Sequence, residues 1–442
     1  MMETQSVRSL IASEDQAPAR SRAGVLRPGT LDEIDALLAD ADAVLATRYP
    51  GDSGSRQPVH TVYVNADLAD EGLTARWAAD AAAVLAVAAA NIAAAATLGL
   101  PGVDEAVLGR VRAKLSAEPV EDLRLDFEDG YGARPDEQED ADAVRVGALL
   151  PVLLADPKGP FLAGIRFKSL ERPTRRRGLR TFDLVVSGVL AGGGGLPEGF
   201  LVTLPKVTSV DQVTAMVRVC EELERAHGLP AGALRFEIQI ETTQAILGAD
   251  GTATVAGMIG AAGSRCVALH YGTFDYSASC GVAAAQQSLA HPVADHAKAV
   301  MQVAAAGTGV RLSDGSTNVM PVGSPEAIRA AVELHAGLVT RSLRAAYYQG
   351  WDMHPGHLVS RYLATYAFYR QGLPTAAARL RAYLNKESGG VVDEPATAQA
   401  LAAFLMRGVH CGAVDDAETL DLAGVDRTTL DAMARRKPSP AV

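Results

Sequence analysis

Residues 235–241 read RFEIQIE, and this stretch decides the fold. Its polar residues Glu237, Gln239 and Glu241 lie on one face of a strand, because side chains along a strand alternate between its two faces. The apolar residues between them lie on the other face. Residues 123–127 alternate in the same way. Strands that are apolar on one face and charged on the other are expected in a barrel wall whose outer face packs under helices.

Short apolar or alternating runs recur from about residue 60 onward, with helical stretches between most of them. The runs cover residues 61–64, 123–127, 162–168, 201–204, 235–241, 266–271, 310–312 and 350–353. Eight strands that alternate with helices over roughly 300 residues predict an α/β protein with a (β/α)₈ TIM barrel. A doubly wound parallel sheet is the alternative.

The pattern of apolar residues divides the chain into three predicted parts. Residues 1–59 form an N-terminal helical appendage, residues 60–360 the catalytic barrel, and residues 361–442 a C-terminal helical extension. We expect this extension, from about residue 375, to close over the barrel mouth in the same chain or in a neighbouring subunit. The apolar residues 401–406 have no obvious place to bury on an isolated barrel, which predicts a homo-oligomer.

Composition excludes several classes of protein. The chain of 442 residues carries 52 acidic against 41 basic residues, a net charge of −11, so it lacks the cationic surface that nucleic acid requires. Its four cysteines include no CxxC pair, which predicts a reducing compartment. The N-terminus resembles no secretory signal, and the uncharged residues 81–100 are mostly alanine, which favours a buried helix over a membrane span. We expect a cytoplasmic protein without a membrane partner.

Acidic and cationic residues follow several of the predicted strands. They are Asp126, Glu128 and Asp129 after strand two, Arg166 in strand three, Lys206 after strand four, Glu241 at the end of strand five and Asp275 after strand six. Barrel enzymes place their chemistry at this C-terminal rim. Two carboxylates can hold an octahedral Mg²⁺, and an arginine supplies a fork for a carboxylate or enolate oxygen. Deeper in the barrel, Arg124 or Lys168 is expected to pair with Glu237.

Six segments carry a resemblance to a known family. In chain order they are LRLDFEDGYGARPDEQEDADAVR, GIRF, TLPKV, IQIETTQAIL, HYGTFDYSAS and DMHPGHL. Together they resemble the HpcH/HpaI aldolase and citrate lyase β-subunit family, which belongs with malate synthase in the phosphoenolpyruvate/pyruvate superfamily. The resemblance covers about residues 62–357. It implies a (β/α)₈ barrel that makes or breaks a carbon–carbon bond, and an oligomer, commonly a trimer or hexamer.

The resemblance also implies roles for individual residues. The metal ligands of the family correspond to Glu241 and Asp275, which would bind Mg²⁺ or Mn²⁺, and its substrate-binding arginine corresponds to Arg166. The candidate substrate-binding residues in the other segments are Lys206, Thr273 and His354.

The acidic segment after strand two separates the branches of this family. Asp126, Glu128 and Asp129 match the segment of citrate-lyase-like members in which acids orient the substrate, and we count them as catalytic. The aldolase branch has a catalytic histidine where this chain has Asp129. This difference favours the lyase-like or malate-synthase-like side and leaves the general base unassigned.

Together, these residues and the resemblance predict a metal-dependent carbon–carbon lyase or aldolase, or the reverse condensation. Its substrate would be a 2-oxo acid or an acyl-CoA type thioester, and its intermediate a Mg²⁺-stabilised enolate. Five arginines in residues 171–180 are either a site for a CoA phosphate or a solvated loop. The alternatives are phosphoryl transfer to or from pyruvate and a catalytically silent binding subunit of the same fold.

Overall fold

Eight parallel strands form the barrel in the computed structural model, which describes residues 26–385 and 394–435. The strands are β1 (His60–Asn65), β2 (Asp122–Asp126), β3 (Leu162–Arg166), β4 (Phe200–Leu204), β5 (Phe236–Ile240), β6 (Cys266–Tyr271), β7 (Arg311–Ser313) and β8 (Gly350–Asp352). They pair in the order β7-β6-β5-β4-β3-β2-β1-β8, and a parallel bridge from Ser313 to Gln349 joins the two ends. The predicted (β/α)₈ barrel is confirmed, and the doubly wound sheet is wrong.

Helices lie between the strands and after the last one. They are α1 (Pro28–Arg48), α2 (Leu73–Ala88), α3 (Ile92–Ala96), α4 (Glu105–Ala117), α5 (Asp136–Ala155), α6 (Arg175–Leu190), α7 (Val210–His227), α8 (Thr243–Ile246), α9 (Thr254–Ala262), α10 (Thr273–Ser279), α11 (Pro292–Ala305), α12 (Pro325–Arg344), α13 (Pro355–Leu384), α14 (Pro395–His410), α15 (Asp416–Ala423) and α16 (Arg427–Ala434). The uncharged residues 81–100 are divided between α2 and α3. Among the described residues, no helix is long and apolar enough to cross a membrane.

The barrel interior is charged, as the alternation in the strands predicts. Arg124 donates to both carboxylate oxygens of Glu237, with Nε 2.9 Å from Oε1 and Nη2 2.8 Å from Oε2. Of the two predicted partners of Glu237, Lys168 is the wrong one. Its Nζ lies 2.6 Å from Oε2 of Glu139 on α5, because β3 ends at Arg166 and the chain has already turned outward.

The chain divides into two units between Thr47 and Arg48. In the described part of the first unit, α1 leaves its large apolar side chains exposed, Leu37 by 80%. The second unit contains the barrel and the C-terminal helices, and α13 runs without a break through residue 360. The three-part division proposed from the sequence, with boundaries after residues 59 and 360, stays a prediction.

The described C-terminal helices lie at the end of the barrel opposite to the expected one. Met406 and His410 of α14 line a cavity together with Val59 and Val310, which directly precede β1 and β7. These helices therefore sit at the N-terminal strand ends and, within the described residues, do not cover the C-terminal ends. The expectation that they close the mouth of their own chain is wrong for this part of the extension. Closure by a neighbouring subunit stays a prediction.

The packing of α14 also removes the original reason for expecting an oligomer. Leu405 and Met406 are buried in their own chain, in the same apolar core as Tyr369 of α13. A sequence pattern shows which residues of a helix are apolar, but it does not show what covers them. The homo-oligomer, trimer or hexamer, stays a prediction that light scattering against the chain mass of 46.0 kDa would test.

Candidate active site

A fixed arginine lies just inside the C-terminal strand ends, which we call the mouth. Arg166 donates to both oxygens of Asp126, with Nε 2.7 Å from Oδ1 and Nη2 2.8 Å from Oδ2. Its Cζ atom lies 4.9 Å from the ring centre of Tyr63 and 5.2 Å from that of Trp351. The remaining nitrogen, Nη1, lies 3.3 Å from Oε1 of Gln239. These contacts hold the guanidinium in place and leave Nη1 as its donor toward the mouth.

A single lysine connects the acids of the mouth. The Nζ atom of Lys206 lies 3.0 Å from Oε1 of Glu128, 2.8 Å from Oδ2 of Asp129 and 3.0 Å from Oδ2 of Asp275. The backbone amide of Lys206 donates to Oε1 of Glu241 at 2.7 Å. The acids that follow strands two, five and six therefore meet, as the sequence predicts, and we call these five residues the Lys206 cluster.

Negative charge exceeds positive charge at the mouth. The five carboxylates of Asp126, Glu128, Asp129, Glu241 and Asp275 face two cations, Arg166 and Lys206. Burial raises the pKa of Glu241 to about 8, and the positive charge of Lys206 only partly opposes this effect. Burial likewise raises the pKa of Glu128 to about 7, against the charges of Arg166 and Lys206.

This donor set fits a divalent cation. Carboxylate oxygens are the protein ligands that Mg²⁺ and Mn²⁺ prefer, and a divalent ion would offset the excess negative charge. Three of the carboxylates already converge on one positive atom, the Nζ of Lys206. Gly272 leaves the space that Glu241 occupies, because a Cβ atom on that glycine would lie 2.4 Å from the Cβ of Glu241 and 2.8 Å from its Oε2.

Two of the predicted substrate-binding residues have other partners. The hydroxyl of Thr273 accepts from the backbone amide of Ser316 at 3.1 Å and so connects the loops that follow β6 and β7. His354 caps the N-terminus of α13, where its Nδ1 accepts from the amide of Gly356 at 3.0 Å. In the described part of the chain, neither side chain has a hydrogen bond to the Lys206 cluster or to Arg166. Their role in substrate binding stays a prediction.

Three residues that shape the site were not predicted from the sequence. Gln239 donates from Nε2 to Oε2 of Glu241 at 2.7 Å, and its position on the same strand face as Glu241 was the available signal. Tyr63 and Trp351 pack against each other with ring centres 4.3 Å apart. Neither residue carries a charge, so a pattern of acids and cations at strand ends does not indicate them.

A second cluster of possible ligands lies behind β8. Ligand atoms of His335, Asp352 and His357 lie within 4.8 Å of one another, close enough to hold a metal ion. Both oxygens of Asp352 already accept from Arg361, at 2.7 Å from Nη2 and 3.1 Å from Nε. The Nε2 atom of His357 lies 3.0 Å from the carbonyl oxygen of Val319. Because Asp352 and His357 already have these partners, we interpret the three residues as part of a buried ion-pair network and not as a metal site.

The arginine-rich residues 171–180 form a turn, residues 171–174, followed by the first residues of a helix. Helix α6 begins at Arg175, and both Arg177 and Arg180 pair with Asp140 of α5. These two arginines therefore connect neighbouring helices. Arg172 and Arg176 are exposed.

A family model decides where this chain belongs. The model of the family described as Domain of unknown function (DUF6986) matches residues 38–438. The chain is a member of this family. No curated protein matches the sequence of this DUF6986 chain. The resemblance to the HpcH/HpaI aldolase family stays a prediction.

Solved structures with a similar fold are distant from this DUF6986 chain. Haloferax volcanii malate synthase, in a magnesium/glyoxylate complex, is 16% identical with a TM-score of 0.47 over 86% of this chain and 98% of that one. CitE from Mycobacterium tuberculosis, in complex with magnesium, acetoacetate and coenzyme A, is 17% identical with a TM-score of 0.46 over 81% and 99%. At such values the likeness assigns no reaction, metal or substrate to this chain.

Proposed function

We propose that this chain is a Mg²⁺- or Mn²⁺-dependent enzyme that makes or breaks a carbon–carbon bond next to a 2-oxo acid or an acyl thioester. The observation that carries the proposal is the geometry of the mouth, where Glu128, Asp129, Glu241 and Asp275 converge on Lys206 beside the fixed guanidinium of Arg166. Such a site suits a reaction in which negative charge develops on a substrate oxygen.

Glu241 and Asp275 are the residues that we propose as metal ligands. Glu241 is fully buried beside Gln239, whereas the carboxylate of Asp275 is half exposed at the start of α10. Glu241 would thus be a rigid ligand, and Asp275 would be a ligand that is open to the side from which the substrate enters. When bound, the metal supplies Lewis-acid stabilisation of the charge that develops on an enolate oxygen.

Arg166 would bind the substrate through Nη1, since Asp126 occupies its Nε and Nη2 atoms. Asp126 is then a positioning residue, and so are Tyr63 and Trp351. A donor that is held in place before the reaction is worth roughly 2.7 to 4 kcal/mol of transition-state stabilisation, because no reorganisation is needed when the charge appears.

Glu128 is the residue that we assign to move the proton at the carbon next to the carbonyl. Its Oε2 atom lies 3.4 Å from Nη1 of Arg166, so a substrate oxygen held by that nitrogen lies beside the carboxylate. Burial raises its pKa to about 7, the range in which a side chain both accepts and returns a proton at neutral pH. Lys206 would bind a substrate carboxylate at the same place.

Proton exchange in D₂O tests the proposed function. The full chain is incubated with Mg²⁺ and a panel of 2-oxo acids, each with and without an acyl-CoA, and loss of the C3 proton signal is followed by NMR. We expect exchange for at least one substrate and none in Glu241→Gln. Arg166→Lys should slow exchange by about 100-fold, because it loses a donor worth a few kcal/mol. The exposed Arg76→Lys serves as the control.

Other outcomes of the same assay identify the alternatives. Consumption of phosphoenolpyruvate with a phosphate acceptor would indicate a phosphoryl-transfer enzyme. A chain that does neither would be a silent binding subunit. Exchange at the wild-type rate in Glu241→Gln would contradict the proposed site.

A further inference from the structure

A cavity of about 380 Å³ lies at the N-terminal strand ends, on the side of the barrel opposite to the mouth. Its walls come from the segments before β1, β7 and β8 and from α11, α13, α14 and α16. This volume lies within the range of roughly 300 to 1,000 Å³ that is usual for sites of small organic ligands. The proposed reaction leaves the cavity unused.

Two of the three arginines in the cavity wall have partners. Arg407 stacks on the ring of Tyr348, with Cζ 4.5 Å from the ring centre, and its Nη2 lies 3.7 Å from Oδ2 of Asp52. Arg435 forms an ion pair with Asp431 one turn earlier on α16. The two acids of the wall are thus each associated with one arginine.

The side chain of the third arginine, Arg311 at the start of β7, has no hydrogen bond or ion pair with any residue that the structure describes. Burial lowers its pKa, and the more distant acids Asp52 and Asp122 do not offset this effect. The side chain is only partly buried, so its guanidinium remains free to pair with a carboxylate or phosphate group through two parallel hydrogen bonds.

Part of the cavity wall is apolar. Ala403 and Met406 of α14 face it, together with Val59 and Leu312 from the barrel. A ligand that fits both the arginine and the apolar part of the wall carries an oxyanion and a short apolar body.

We propose that this cavity binds a small organic anion, whose carboxylate or phosphate group pairs with Arg311 and whose apolar part lies against Ala403 and Met406. This binding is separate from the reaction at the mouth, because it takes place at the other ends of the strands. The inference therefore stands independently of the proposed function.

Titration calorimetry of the full chain tests this site with benzoate and phenyl phosphate as probes. We expect at least one of them to bind with a Kd of about 1 mM or lower. Benzyl alcohol, which lacks the charge, and inorganic phosphate, which lacks the apolar body, should bind at least about tenfold more weakly. The ratio of the two probes shows whether the site prefers a carboxylate or a phosphate group.

Variants on both sides of the cavity locate the binding. Arg311→Gln should raise the Kd at least about tenfold, and Arg311→Lys should raise it less because the charge remains while the fork is lost. Ala403→Phe keeps Arg311 but fills the cavity, and it should also abolish binding. Lys206→Met at the mouth should leave the Kd unchanged, and thermal melts show that each variant is folded.

Three results would overturn the proposal. The first is the absence of binding by both probes at concentrations of about 10 mM, tenfold above the expected Kd. The second is an unchanged Kd in folded Arg311→Gln or Ala403→Phe. The third is loss of binding in Lys206→Met, which would place the anion at the mouth.

Discussion

The backbone amide of Lys206 donates a hydrogen bond to Oε1 of Glu241 at 2.7 Å, from a left-handed conformation with a φ of 49°. A residue with a side chain adopts this conformation at a cost of about 1 to 3 kcal/mol, and such strain is concentrated at functional sites. The bend that it produces after β4 lets the amide of Lys206 reach Glu241 while its ammonium reaches Glu128 and Asp275.

Removing this ammonium should strengthen metal binding. Lys206→Met keeps the backbone amide but removes a positive charge that lies within 3.0 Å of three carboxylates. We expect the Kd for Mg²⁺, measured by calorimetry, to fall about tenfold, because a competing cation is lost. Lys158→Met, at an exposed position, should not change it. Equal or weaker Mg²⁺ binding in Lys206→Met would show that the ammonium does not compete with the metal.

Space beside Glu241 should be as important as charge. Gly272→Ala places a methyl group 2.4 Å from the Cβ of Glu241, so this carboxylate must move. We expect Mg²⁺ binding to weaken at least about tenfold, a change of about 1.4 kcal/mol. The matched control is Gly337→Ala on α12, where a Cβ atom meets nothing within 4 Å. It should leave Mg²⁺ binding unchanged, and a similar loss in both variants would point to general destabilisation.

The alternation of side chains was enough to predict much of this architecture. The alternation in residues 235–241 predicts that the polar face of β5 points into the barrel. The position of Glu241 at the strand end predicts that this residue reaches the mouth. The course of the backbone between elements was not predictable in this way. The left-handed conformation of Lys206 and the hydrogen bond from the amide of Ser316 to Thr273 depend on segments without a periodic pattern. The position of α14 depends on which apolar surface it meets.

The pair of Asp126 and Arg166 should contribute to folding as well as to the site. Asp126→Asn leaves the buried guanidinium without its charged partner, and removal of one member of a buried pair costs about 3 to 5 kcal/mol. In urea unfolding, the free energy of unfolding should fall by this amount. Asp70→Asn removes a partner from the exposed pair with Arg76 and should leave the unfolding midpoint unchanged. An equal midpoint for Asp126→Asn and the wild type would mean that the pair contributes little.

Stability should fall in mild acid because of a buried histidine. Burial lowers the pKa of His60 to about 4, and its Nε2 accepts from the amide of Glu121 at 3.0 Å. The unfolded chain binds this proton near pH 6.5, so the stabilisation is complete above that pH and is lost as the pH falls toward 4. A shift of this size corresponds to about 3 kcal/mol of unfolding free energy.

Urea unfolding at several pH values between 7.5 and 4.5 measures this loss. His60→Gln should make the decline shallower without abolishing it, because burial also lowers the pKa values of His335 and His357. The exposed His296→Gln should keep the wild-type slope. A wild-type slope in His60→Gln would assign the acid sensitivity to other groups.

Calorimetric titration with Mg²⁺ tests the central claim most directly, by comparing the wild type with the double variant Glu241→Gln, Asp275→Asn. Both substitutions keep the size of the side chain and remove its charge. We predict that the wild type binds one Mg²⁺ per chain, that Glu128→Gln retains this binding, and that the double variant loses it while remaining folded. Mg²⁺ binding of wild-type affinity in the double variant would contradict the assignment of these two acids as the metal site.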